Sequence, residues 1–153
     1  MSRKKKKLIA SVVAASALAL AGVSAHAAEP GLAMLMERMQ TYTHKLQLSM
    51  AARNAPLAGF YLHELEETAE FIIENIESYD DQPVGQLTEQ MFMPAVELLE
   101  DAVEDADWDA GDQRFRALME ACNSCHVAAG HGEIRIVPAS SNPFAQDFSV
   151  VED

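Results

Sequence analysis

Between residues 32 and 129 the chain carries four stretches whose apolar residues return about every 3.6 positions. Only short clusters of turn-forming residues separate them, and that pattern leaves little room for anything but packed helices. The first stretch, about Leu32 to Arg53, has Leu32, Leu35, Met36, Met39, Leu46 and Met50 on one stripe. Asn54-Ala55-Pro56 ends it, and Pro56 suits the opening turn of a second helix, where a missing N–H costs nothing. That helix, about Pro56 to Tyr79, is expected to bury Leu57, Phe60, Tyr61, Leu65, Thr68, Ile72, Ile76 and Tyr79. Glu66, Glu67, Glu70, Glu74 and Glu77 read as its solvated face.

Asp80 to Gly85 is dense in turn residues and reads as a loop. A third helix is expected over about Pro94 to Ala106, with Val96, Leu99 and Val103 inward. Acids between Asp107 and Asp112 complement the start of a fourth helix, about Ala110 to Ala129, which Gly130 and Gly132 end. Phe115, Leu118, Met119, Cys122, Cys125 and His126 share its buried side. No strand hairpin is legible. The fold class expected is all-α, an antiparallel four-helix bundle, with a three-helix bundle and an irregular third segment as the alternative. Residues 133–153 change character: Ile134 to Pro138 could run extended, and Asn142-Pro143-Phe144 reads as a turn with an aromatic anchor. They are expected to pack on the bundle as an irregular tail.

The first residues read as an export signal. Arg3 and Lys4 to Lys7 precede an uncharged run from Leu8 to Ala21, and Ala25-His26-Ala27 offers the small residues of a cleavage site before Ala28. The run is shorter than the roughly 20 residues that span a bilayer. The expected division is therefore a cleaved signal at 1–27, a helical bundle at 28–132 and a tail at 133–153, with the mature chain in the periplasm and without a membrane span. Cleavage removes five of the eleven basic residues and none of the 24 acidic ones, leaving 126 residues with a formal charge of −18. Such a surface repels nucleic acid and anionic lipid and attracts basic partners.

Both cysteines lie in Cys122-Asn123-Ser124-Cys125-His126, the attachment signature of a c-type haem. Each thiol can add across one porphyrin vinyl group, and the adjacent imidazole can ligate iron. On a helix the spacing sends all three side chains from one face. Rivals are weaker. Zinc on Cys122, Cys125, His126 and His131 would need the adjacent Cys125 and His126 to meet one tetrahedral ion. A carboxylate-bridged di-iron site needs Glu three residues before a histidine on two helices, and no histidine here has one. A redox-active Cys-x-x-Cys usually opens a helix after a strand, whereas here a helix precedes it. No phosphate loop, nucleophile elbow or His-Glu-x-x-His pattern occurs, so no enzyme activity is expected.

Phe115 to His126, with the haem motif at the end of the last helix, resembles the cytochrome c′ group of periplasmic mono-haem bundles. Within it, His44-Lys45-Leu46, Leu57 to Tyr61, Ala121 to His126 and Asn142-Pro143-Phe144 look like a set of secreted mono-haem relatives. The resemblance implies one covalent haem c held by Cys122 and Cys125, with His126 as the proximal ligand to the iron. It also implies redox partner proteins, which this charge would favour with basic surfaces, and a homodimer as one mode of assembly. It departs from the c′ pattern at Ala129-Gly130, where a basic residue is usual, and in the tail beyond Glu133. In the c′ pattern an apolar side chain of the first helix covers the distal iron face. Here Met39 to His44 occupies that stretch, so His44 is a candidate distal ligand, with Met36, Met39 and Met50 as thioether alternatives. Arg38 and Arg135 are candidate propionate partners, although exposed arginines commonly just balance nearby acids. His63 reads as surface, and His131 is too close to His126 to reach the opposite haem face. Two functions then compete: single-electron transfer with the sixth position closed, or binding of a diatomic gas such as nitric oxide at a vacant one. A haem-free dithiol protein is the third.

Overall fold

The computed structural model describes residues 30–151, so the expected signal at 1–27 and its cleavage before Ala28 lie outside the described residues. Four helical rods form the described part: α1 (Leu32–Ala51), α2 (Ala55–Asn75), a third rod of α3 (Val84–Leu87) and α4 (Met93–Glu104), and α5 (Trp108–Ala128). A π-helical turn over Thr88–Phe92 joins α3 to α4. The result is an all-α four-helix bundle with an irregular tail after α5. Among the described residues the only β-type pairing is an isolated bridge between Tyr79 and Gln82, and no helix is long and apolar enough to cross a membrane.

Local chemistry accounts for the breaks. Arg53 takes a left-handed φ of 56°, and the Asn54 N–H donates to the Ser49 carbonyl at 3.0 Å, closing the end of α1. Asn54 then caps α2, its Oδ1 accepting from the Leu57 N–H at 3.2 Å. Asp107 does the same for α5, accepting from the Ala110 N–H at 3.1 Å, so that helix opens at Trp108.

The structure differs from the expected rods in two places. α2 stops at Asn75, not Tyr79. Asp80 and Asp81 both adopt positive φ, which short polar side chains tolerate, and reciprocal 2.9 Å bonds between Tyr79 and Gln82 close a tight turn there. The third rod begins at Val84, ten residues before Pro94. Pro94 sits inside the rod instead of opening it. A proline has no N–H to donate and crowds the carbonyl four residues before it, and the π turn immediately upstream widens the backbone at that point. Gly85 is required at the start of this rod. A Cβ there would lie 3.0 Å from the Ile76 carbonyl oxygen and 3.1 Å from that of Ile73.

The core joins Leu35, Leu46 and Met50 of α1 to Leu62, Leu65 and Ile72 of α2, Val96, Leu99 and Val103 of α4, and Phe115, Leu118 and Met119 of α5. Each such side chain contributes about 1.5–3 kcal/mol by leaving water. Two residues expected in the α2 stripe are outside it. Phe60 is 52% exposed, with its ring edge-on to Tyr61, and Tyr79 is 44% exposed. At positions 60 and 61 the helical period permits either residue to face inward. Tyr61 takes the buried place because its hydroxyl donates to Gln146 Oε1 of the tail at 2.7 Å. α1 packs along α2 and α4 along α5, whereas α1 and α5 touch each other little. That open seam is where the site lies.

Candidate functional site

A cavity of about 410 Å³ fills the seam between α1 and α5, within the usual range for a small-molecule site. Met36, Glu37, Met39, Gln40 and Thr43 of α1 form one wall, and Cys122, Cys125 and His126 of α5 form the opposite one. Tyr79, Val84, Thr88 and Phe92 close one end, and His131, Ile134 and Ile136 close another edge. The walls are mainly apolar.

Three of the expected site residues are brought together. Cys122, Cys125 and His126 are half-buried on the same wall, separated by one turn of helix. The two cysteines are not joined by a disulfide. His126 Nδ1 lies 3.0 Å from the Ile134 carbonyl oxygen. A carbonyl can only accept, so Nδ1 is the donor, and in the neutral ring the lone pair is then on Nε2. That is the arrangement by which metal-ligating imidazoles are held in one tautomer.

Burial, reinforced by the neighbouring Cys125, pushes the Cys122 thiol from an ordinary 9.0 up to about 12. Burial also raises Cys125. Both therefore stay protonated near neutrality, the opposite of an activated redox dithiol. The folded chain keeps the Cys122 proton where the unfolded chain releases it, so apoprotein stability is full below about 9 and falls as pH climbs toward about 12. Thermal melts across that range are expected to show a decline that Cys122→Ser flattens; an unchanged slope in the variant would remove Cys122 as the cause.

His44 is placed elsewhere. Its Nε2–H donates to the Ser141 carbonyl at 3.0 Å, and its ring stands edge-on to Phe144 with centroids 5.0 Å apart. It is not part of the cavity wall. The tail crosses α1 at this level: Gln47 pairs with both backbone groups of Ala139, and the Lys45 ammonium lies 5.0 Å from the Phe144 ring centre. Of the methionines named as alternatives, Met36 and Met39 face the cavity, while Met50 is 2% exposed in the core beside Gly111. Arg38 and Arg135 are exposed and outside the wall. The titratable groups at the cavity besides the motif are Glu37, Tyr79 and His131, and His131 Nδ1 is 3.4 Å from Glu133. His63 is exposed, 3.3 Å from Glu67.

Asn123, inside the motif, was not singled out from sequence. Its Nδ2 donates to the Ile136 carbonyl at 3.0 Å, and its Oδ1 accepts the Ile136 N–H at 2.7 Å. The tail thereby docks on α5 through a paired contact of one side chain with both backbone groups of one residue. Further along, Asn54 Nδ2 donates to the carbonyls of Phe148 and Ser149, and Phe148 is buried. The extended character of Ile134 to Pro138 was the available signal, but its partner was not.

Among the described residues no three His, Cys, Asp or Glu side chains converge as an ion site, although Cys122, Cys125, His126 and His131 all border the cavity. Comparison with protein-family models, with curated proteins and with solved structures finds no match to this chain. What the cavity can hold is therefore decided by its own residues.

Proposed function

We propose that the chain is a periplasmic mono-haem c-type cytochrome that carries single electrons between redox proteins. The observation that carries this reading is the α5 wall: two thiols and an imidazole that donates through Nδ1 to the Ile134 carbonyl, facing a mainly apolar cavity. Cys122 and Cys125 would hold the group as thioethers, and His126 Nε2 would be its protein ligand from α5. When bound, haem c supplies a one-electron iron couple. Met36 and Met39 would offer a thioether from across the cavity, which favours the reduced form and leaves no open position. Residues 133–149 form a strap over the bundle, and its Ile134 and Ile136 cover one edge of the mainly apolar cavity.

The partner surface follows from charge. Burial and then the neighbouring Glu100 and Glu70 raise the Glu66 carboxyl, a sign that carboxylates crowd the α2–α4 face. A basic partner would relieve that repulsion, with association that weakens as salt is added. The haem-free dithiol is disfavoured by the raised thiols, since the thiolate is the attacking form.

The test is export with a haem-attachment system followed by a pyridine haemochrome assay. One covalent haem per chain is expected, and none in Cys122→Ser/Cys125→Ser. A wild-type apoprotein would end the reading. In the reduced wild type, carbon monoxide is expected to leave the spectrum unchanged; a carbonyl complex would move the function to gas binding.

A further inference from the structure

The tail meets the motif at two points. His126 Nδ1–H donates to the Ile134 carbonyl, and two residues further on Asn123 grips both backbone groups of Ile136. Upstream, the chain is anchored as it leaves α5: the His131 N–H donates to the His126 carbonyl at 2.7 Å, and the Ile134 N–H donates to that of His131 at 2.9 Å. Gly130 makes this reversal with a φ of 83°, where a side chain would be strained. The Ile134 carbonyl is thus suspended between an anchor at residue 131 and a clamp at residue 136. Ile134 is itself 49% exposed, so its burial does little to hold that carbonyl in place.

We infer that Asn123 is a positioning residue: by clamping Ile136 it holds the Ile134 carbonyl against His126 Nδ1–H and so sets the tautomer and orientation of the imidazole. The two carboxamide bonds cost little to form, because α5 already fixes the Asn123 backbone. Without them the stretch between the turn at His131 and the next fixed point at Ala139, held by Gln47, loses its nearest tie to α5, and water competes for Nδ1–H. The consequence for the iron rests on the proposed haem reading. A ring whose Nδ1–H is donated to a carbonyl is a stronger electron donor through Nε2, which favours the oxidised metal. Asn123 therefore lowers the reduction potential without touching the ligand set.

The test uses the protein as isolated, labelled uniformly with 15N. In the wild type the His126 Nδ1–H and the Ile136 amide are expected to exchange slowly with solvent. Asn123→Ala is expected to speed both by on the order of tenfold, the loss of about one net hydrogen bond. Asn123→Gln, which keeps both the donor and the acceptor of the carboxamide on a longer stem, is expected to recover part of the protection at both. In the haem-loaded protein the reduction potential of Asn123→Ala is expected to lie above that of the wild type, with Asn123→Gln closer to it. A His126 Nδ1–H as protected in Asn123→Ala as in the wild type, while the Ile136 amide is released, would overturn the inference. The exchange arms read the contact with or without haem, so failure of haem attachment and failure of the clamp are separately visible.

Discussion

Exchanging Met36 and Met39 together for leucine is expected to convert a low-spin, carbon-monoxide-insensitive protein into a high-spin one that binds the gas, whereas His44→Ala is expected to stay low-spin. The reason lies in what each side chain faces. Met36 and Met39 border the cavity opposite His126, and leucine replaces a thioether with a branched alkyl group of similar volume, so the bundle should tolerate the change. His44 is engaged at both ends, donating to Ser141 and packing against Phe144. Its loss should loosen the strap by about one hydrogen bond, roughly 0.5–1.5 kcal/mol, without opening a coordination site. Absorption spectra of the oxidised and reduced forms, with and without carbon monoxide, check both variants. A double leucine variant that stays low-spin, together with a His44→Ala protein that turns high-spin, would return the sixth ligand to the imidazole. The single variants then say which methionine is used.

Leu118→Ala is expected to cost about 2–5 kcal/mol, the range for deleting a fully buried leucine side chain from a packed core. Leu118 is fully buried one turn before Cys122, where the core meets the floor of the site. A domain of this size has about 5–15 kcal/mol of stability, so the variant should sit near the edge of folding. Urea unfolding of the apoprotein is expected to show a lower midpoint at constant slope. Val127→Ala on the same helix, at a residue 66% exposed, should change stability by no more than about 0.5 kcal/mol. A Leu118→Ala loss below about 1 kcal/mol would mean that α5 is not seated in the core as its burial implies.

Much of this molecule could be read before its structure. The apolar period locates all four rods, and the Asn54 and Asp107 caps lie where turn residues interrupt it. The periodicity starts the third rod too late because Pro94 is a strong helix-opening signal, and nothing in the period reveals that a π turn takes it into the interior. Phe60 was expected inside because positions 60 and 61 satisfy the period equally; the contact from Gln146, far along the chain, selects Tyr61.

The site divides along the same line. That Cys122, Cys125 and His126 share a face is a property of the helix itself, since positions three and four apart are neighbours on any α-helix. Which residues stand across from them is not. Met36, Gln40 and His44 follow one another at single turns of α1, and periodicity treats them alike. The strap separates them: it crosses α1 at His44 and Gln47 and claims their polar groups, leaving the turns of Met36 and Met39 to face α5.

Helical spacing, which is local, is therefore enough to place two thiols and an imidazole on one face of α5. Tertiary packing alone supplies the opposite wall, the proton on His126 Nδ1 and the clamp at Asn123. Those features are contacts between segments that only packing brings together, residue 123 with 136 and residue 44 with 141, and no periodicity along a single helix encodes them.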